Sequence, residues 1–151
     1  MSNTIKIKNY LNVQEEIIAI GVITPGMLLE LTSAGKVQAH SASGQNMFQY
    51  FAVEDELQGE EITDTYAVAD PVQVWIPQRG DIVYALLADG ENASIGDYLE
   101  SNGDGYLKVY AVDAESVANY TNQIVGQAIE AVDMSDSSGV DPAGRIKVRI
   151  I

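Results

Sequence analysis

The sequence predicts an all-β fold: one small β-barrel or sandwich built from hairpins, preceded by an extended N-terminal arm. Three observations carry that expectation. Apolar residues recur with period two far more often than with the helical period. Short joints rich in Gly, Asn or Asp separate the runs. A length of 151 residues suits one domain that buries roughly two-thirds of its unfolded surface.

The first element, Ile5–Lys8, alternates strictly and lies within residues 1–13, which read as an arm before a domain spanning 14–151. Met27–Leu31 and Val37–Ala39 flank Ser33-Ala34-Gly35-Lys36, where glycine tolerates the positive φ of a tight hairpin turn. Phe48–Val53 is the next strand. From Glu54 to Asp70 there are seven carboxylates and no base, with little periodicity, which predicts an exposed loop with at most one helical turn. Val72–Ile76 and Ile82–Leu87 are strands joined by a turn at Pro77-Gln78-Arg79-Gly80, and Tyr98–Ser101 and Leu107–Val112 flank a second tight hairpin at Asn102-Gly103-Asp104-Gly105. Ile124–Ala131 and Ile146–Ile151 complete the set, separated by the irregular, Ser-, Asp- and Gly-rich stretch Met134–Gly144. Thr24-Pro25-Gly26-Met27-Leu28-Leu29-Glu30 echoes Ser94-Ile95-Gly96-Asp97-Tyr98-Leu99-Glu100, and in each the glycine lets the chain bend sharply into a strand.

Eight bases stand against twenty-two acids, a formal charge of −14, and the two signs are segregated. Lys6 and Lys8 open the chain and Arg145, Lys147 and Arg149 close it, while every carboxylate lies between. Such a charge disfavours nucleic acid and anionic membrane surfaces as partners and keeps the chain soluble. Met1 to Tyr10 holds no apolar run of signal-peptide length and no segment approaches a membrane span, so the chain reads as soluble and unexported by the usual signal. With no cysteine, thiolate catalysis and disulfides are excluded and stability falls to packing or oligomerisation.

Catalytic signals are weak, and no catalytic residue is assigned. His40 is flanked by Ser41 and Ser43, but neighbours on a strand point to opposite faces and no nucleophile elbow exists, so a polar loop is the simpler account. Carboxylates are abundant without forming a recognisable acid–base pair, and Trp75, Phe48 and Phe51 read as core. Glu100 to Asp104 begins like a calcium-binding loop, but position twelve is Ala111 and the flanks are strands; a hairpin is favoured, with at most a weak surface cation site there. Arg79-Gly80-Asp81 sits in a turn and reads as a chance tripeptide, and no metal or cofactor is expected.

The terminal strands are the sharper signal. In Arg145–Ile150 the bases alternate with β-branched residues, and Ile5-Lys6-Ile7-Lys8 repeats the pattern, so one apolar face docks and one cationic face shows. Like charges opposite one another are destabilising, so a carboxylate surface is expected beside them: the chain's own acidic loop, a sister subunit or a different acidic partner. Ile5, Lys6, Ile7, Lys8, Arg145, Lys147 and Arg149 are the candidate contact residues.

From about Pro25 to Ile151 the chain resembles the capsid decoration, or cement, proteins of tailed bacteriophages. The likeness rests on Pro25–Leu31, Asp70–Asp81, Gly96–Gly105 and the Arg145–Ile151 ending. It implies a non-enzymatic virion protein, a dimer or trimer, that binds the major capsid protein on the outer surface of the head and stabilises the expanded shell. The N-terminal arm would clasp the shell or a neighbour, since an extended segment can add to an exposed sheet edge. The alternative is a virion surface module that binds glycan or receptor through exposed aromatics such as Tyr66, Tyr110 or Tyr120.

Overall fold

The computed structural model describes residues 2–111, 121–136 and 144–151. In chain order the strands are β1 (Lys6–Lys8), β2 (Gln14–Ile18), β3 (Leu28–Leu31), β4 (Val37–Ala39), β5 (Tyr50–Ala52), β6 (Pro71–Trp75) and β7 (Ile82–Leu86). They are followed by β8 (Asn92–Ala93), β9 (Tyr98–Ser101), β10 (Leu107–Val109), β11 (Ile124–Ala128), β12 (Val132–Asp133) and β13 (Arg145–Ile150). Each expected run contains a strand, whereas β2, β8 and β12 were not foreseen. Within the acidic segment a single 3-10 turn, Glu56–Gln58, is the one helical element among the described residues.

A six-stranded antiparallel sheet, ordered β1-β7-β13-β11-β9-β10, packs against a five-stranded one, ordered β2-β6-β5-β3-β4; β8 and β12 form a separate ribbon. The architecture is thus sandwich-like and does not close into a barrel. The main core lies between the two sheets. Val83, Ala85, Ile146, Val148 and Ile150 from the larger sheet meet Leu28, Phe51 and Trp75 from the smaller one. Each large side chain buried there contributes roughly 1.5–3 kcal/mol. Alternation sends the intervening residues Leu29, Ala52, Val72 and Val74 to the other face, where they form a second core with Ala19, Ile23, Val37 and Tyr66. An Ala19–Val37 bridge curls the five-stranded sheet around that second core.

The expected hairpins form at Ser33–Lys36 and Asn102–Gly105, closed by Thr32 N–H to Lys36 O at 2.8 Å and Asn102 N–H to Tyr106 O at 2.9 Å. The echo between Thr24–Glu30 and Ser94–Glu100 is structural, and it extends to further sites. Gly26, Gly80 and Gly96 all lie near φ +95° (94, 94 and 96°), each third in a four-residue turn that leads into a strand or hairpin. In each, the fourth residue's N–H donates to the first residue's carbonyl at 3.0–3.1 Å. Asp81 and Asp97 also accept from the first residue's N–H through their carboxylates, at 2.8 and 2.9 Å. Ala67–Asp70 repeats the device, with the Asp70 carboxylate accepting from Ala67 N–H at 2.8 Å. There, however, Ala69 holds the glycine position at φ 72°.

Candidate interaction face

The expected basic strands are β1 and β13, and they do not pair with each other: β7 runs between them. The like charges are therefore held apart by a strand without charge. On β13 the alternation holds, with Ile146, Val148 and Ile150 in the main core and Arg149 exposed. Lys8 and Arg149 both stand opposite Ile82, two strand spacings apart, or roughly 10 Å.

Strict alternation would put Lys6 and Lys8 on one face, but the β1–β7 register shifts between them. Lys6 pairs with Val83, a core residue, and Lys8 with Ile82. Lys6 is consequently drawn inward. Its ammonium donates to Asn12 at 2.8 Å and to Gln14, and lies 5.8 Å over the Trp75 ring. Burial pulls its pKa down, while Glu54 and Glu56 pull it back up. It lines a cavity of about 270 Å³ with Glu54, Asp55 and Glu56, so the chain's own acidic segment answers this lysine. Lys8 is exposed and lies 5.1 Å over Tyr10.

Two of the candidate contact residues are internal. Ile5 is fully buried in the main core, because residues of the expected arm join the larger sheet as its edge strand. Its carbonyl accepts from Tyr84 N–H at 2.8 Å. Ile7 packs partly against the same core. Arg145 is 7% exposed and donates to Pro25 O and Ile62 O, both at 2.7 Å, with Tyr84 5.9 Å away. A planar guanidinium with several donors can tie two loops to β13 in this way. Burial lowers its pKa, opposed by Tyr84, Tyr106 and Glu54. Lys8, Lys147 and Arg149 remain as the accessible cations of the terminal strands, and among the described residues no carboxylate comes within 4.0 Å of their charged nitrogens, although Glu130 accepts from the backbone N–H of Lys147 at 2.9 Å.

The remaining sequence signals resolve into structure. His40 opens the polar loop after β4, as expected, but its side chain is buried, with Nδ1 2.7 Å from Ser101 Oγ and Nε2 3.1 Å from Asn46 O. The carbonyl of Asn46 can only accept, so Nε2 is the donor on that side, and Nδ1 shares a hydrogen bond with the Ser101 hydroxyl. Glu30 stands 3.9 Å from Nε2, giving a Ser–His–Glu set that no local motif announced. Ser101 is fully buried and also accepts from Gly103 N–H, so the set joins the two sheets and offers no face to a substrate. The carboxylate of Asp81 is buried and bonded to Gln78 and Tyr10 backbone N–H groups, unavailable as an adhesion ligand. Glu100 is held by Gln123 and Lys108 while Asp104 caps the hairpin at Tyr106, so their oxygens do not converge. Among the described residues no cluster of three acids or histidines is disposed to hold a metal.

Of the aromatics expected at the surface, Tyr66 is buried and donates to Val53 O at 2.6 Å, while Tyr120 lies outside the described residues. Conversely Phe48, expected in the core, is 57% exposed. Together with Tyr98 and Tyr110 it lines a groove of about 720 Å³ at the end of the sandwich.

No family model matches the sequence, and no curated protein matches it either. A solved structure does: the N base of the head fiber protein gp8.5 of bacteriophage phi29. It superposes with a TM-score of 0.57 at 13% identity, covering 93% of this chain and 95% of that one. The two share a fold. At this identity the likeness concerns the path of the backbone and not particular surface residues.

Proposed function

We propose that this chain is a structural protein of a tailed-phage head, a homo-oligomer that binds the outer surface of the shell through the major capsid protein and stabilises the expanded capsid. The observation that carries this reading is the fold shared, over nearly the whole of both chains, with a head-fiber base. The charge segregation supports it. A body of strong negative charge keeps subunits apart and soluble before assembly, while Lys8, Lys147 and Arg149 offer a compact cationic strip to an acidic site. Repetition over a symmetric shell multiplies such modest contacts into durable attachment.

Co-sedimentation with undecorated heads of the source phage, unexpanded and expanded, tests the proposal. Saturable pelleting with expanded heads is expected, and the Lys8→Glu/Arg149→Glu variant should bind more weakly at an unchanged melting temperature. A folded protein that pellets with neither form would overturn the head-binding reading. Binding unaffected by the double charge reversal would remove the cationic strip from it.

A further inference from the structure

The groove at the end of the sandwich differs in chemistry from the rest of the surface. One residue in five of this chain is charged, yet among the described residues no Asp, Glu, Lys or Arg lines the groove. Its walls carry Phe48, Tyr98 and Tyr110, the first two 57% and 48% exposed, and side-chain amides from Gln49, Gln78 and Asn122. At about 720 Å³ its volume falls in the range of small-ligand sites, roughly 300–1,000 Å³.

We infer that this groove binds a neutral oligosaccharide. A pyranose ring presents C–H groups on its faces and hydroxyls around its rim. Flat aromatic faces with a negative quadrupole match the former, and amides, each both donor and acceptor, match the latter. Among the described residues no acidic or basic side chain stands in the groove to select a charged ligand. Gln49 Nε2 donates to Val125 O at 2.8 Å, which fixes that side chain in the wall. Phe48 is braced by Tyr50, their ring centroids 4.5 Å apart, so one wall of the groove is held in place before any ligand arrives.

The test is titration of the full chain with maltohexaose, cellohexaose and chitohexaose, with hexagalacturonate as the charged control, followed by calorimetry and ligand-observed NMR. Saturable binding of at least one neutral oligosaccharide is expected, weakened roughly tenfold by Tyr98→Ala or Phe48→Ala at a preserved melting temperature. The Lys8→Glu/Arg149→Glu protein should bind the sugar normally, which separates this site from shell attachment. Failure of every neutral probe, or binding that survives both aromatic variants, would overturn the inference. So would sedimentation showing that Tyr98→Glu splits an oligomer, for then a second copy of the chain occupies the groove.

Discussion

Replacing Gly26 by alanine probes how the Thr24–Met27 turn is locked over Arg145. Gly26 sits at φ 94°, a left-handed value that costs an L-residue about 1–2 kcal/mol. An added Cβ would also overlap Arg145 Nη1 and lie 3.0 Å from Tyr84 O. The turn has little freedom to yield, because Gly26 N–H donates to Ala52 O at 2.8 Å and Gly26 O accepts from Leu86 N–H at 3.2 Å. The guanidinium must therefore move, and each of its two bonds to Pro25 O and Ile62 O is worth about 1.5–3 kcal/mol. With one of them lost, Gly26→Ala should destabilise the fold by roughly 2.5–5 kcal/mol. Gly35 is the control: φ is 73° but nothing lies within 4 Å, so Gly35→Ala should cost only the conformational term, about 1–2 kcal/mol. Urea denaturation at constant m-value reads both. In an Arg145→Met background the excess should shrink by more than about 1 kcal/mol, as for residues in direct contact. Equal losses for the two alanine variants, or no coupling to Arg145, would refute the reasoning.

Ala69 occupies with a methyl group the position that glycine fills in the related turns, at φ 72°. Ala69→Gly should relieve about 1–2 kcal/mol of strain against about 0.4–1 kcal/mol of added chain entropy, a small gain seen as a melting temperature raised by one or two degrees. Burial pushes the Tyr66 hydroxyl up from 10 to about 12. Its proton is thus held more tightly in the folded chain, so the stabilisation is complete below pH 10 and is lost as the pH rises towards 12; denaturant midpoints across that window should fall less steeply in Tyr66→Phe. His40→Leu leaves the Ser101 hydroxyl and Asn46 carbonyl without their buried partner and should cost about 2–4 kcal/mol in thermal unfolding; a loss under about 1 kcal/mol would mean that the two sheets are joined without it.

The parts of this fold legible in the sequence are those set by neighbours along the chain. Arg145–Ile150 reads as a strand with one apolar side because period two follows from the backbone of a single strand, whatever lies beside it. Glycines at Gly35, Gly103 and Gly105 announce turns because each adopts a positive φ that most other residues resist. β2 escaped notice for the complementary reason. Gln14-Glu15-Glu16-Ile17-Ile18 has no alternation and is largely exposed; it is a strand because Pro71–Trp75 supplies its partner over its full length.

Chemical identity alone cannot rank five bases at the two chain ends, and this is where the sequence by itself stopped. It determined that the terminal strands are cationic, that the body is acidic and that the class is all-β. Tertiary structure decided which cations are available: β7 inserts between the terminal strands, a register shift turns Lys6 toward Trp75, and the turn at Gly26 covers Arg145. It also brought His40 to Ser101, sixty-one residues away, and gathered Phe48, Tyr98 and Tyr110 around one groove. Side-chain direction along a strand is a local property. Strand order, register and the loops that cover a face arise from pairings distant in sequence, and these are fixed only when the two cores are packed.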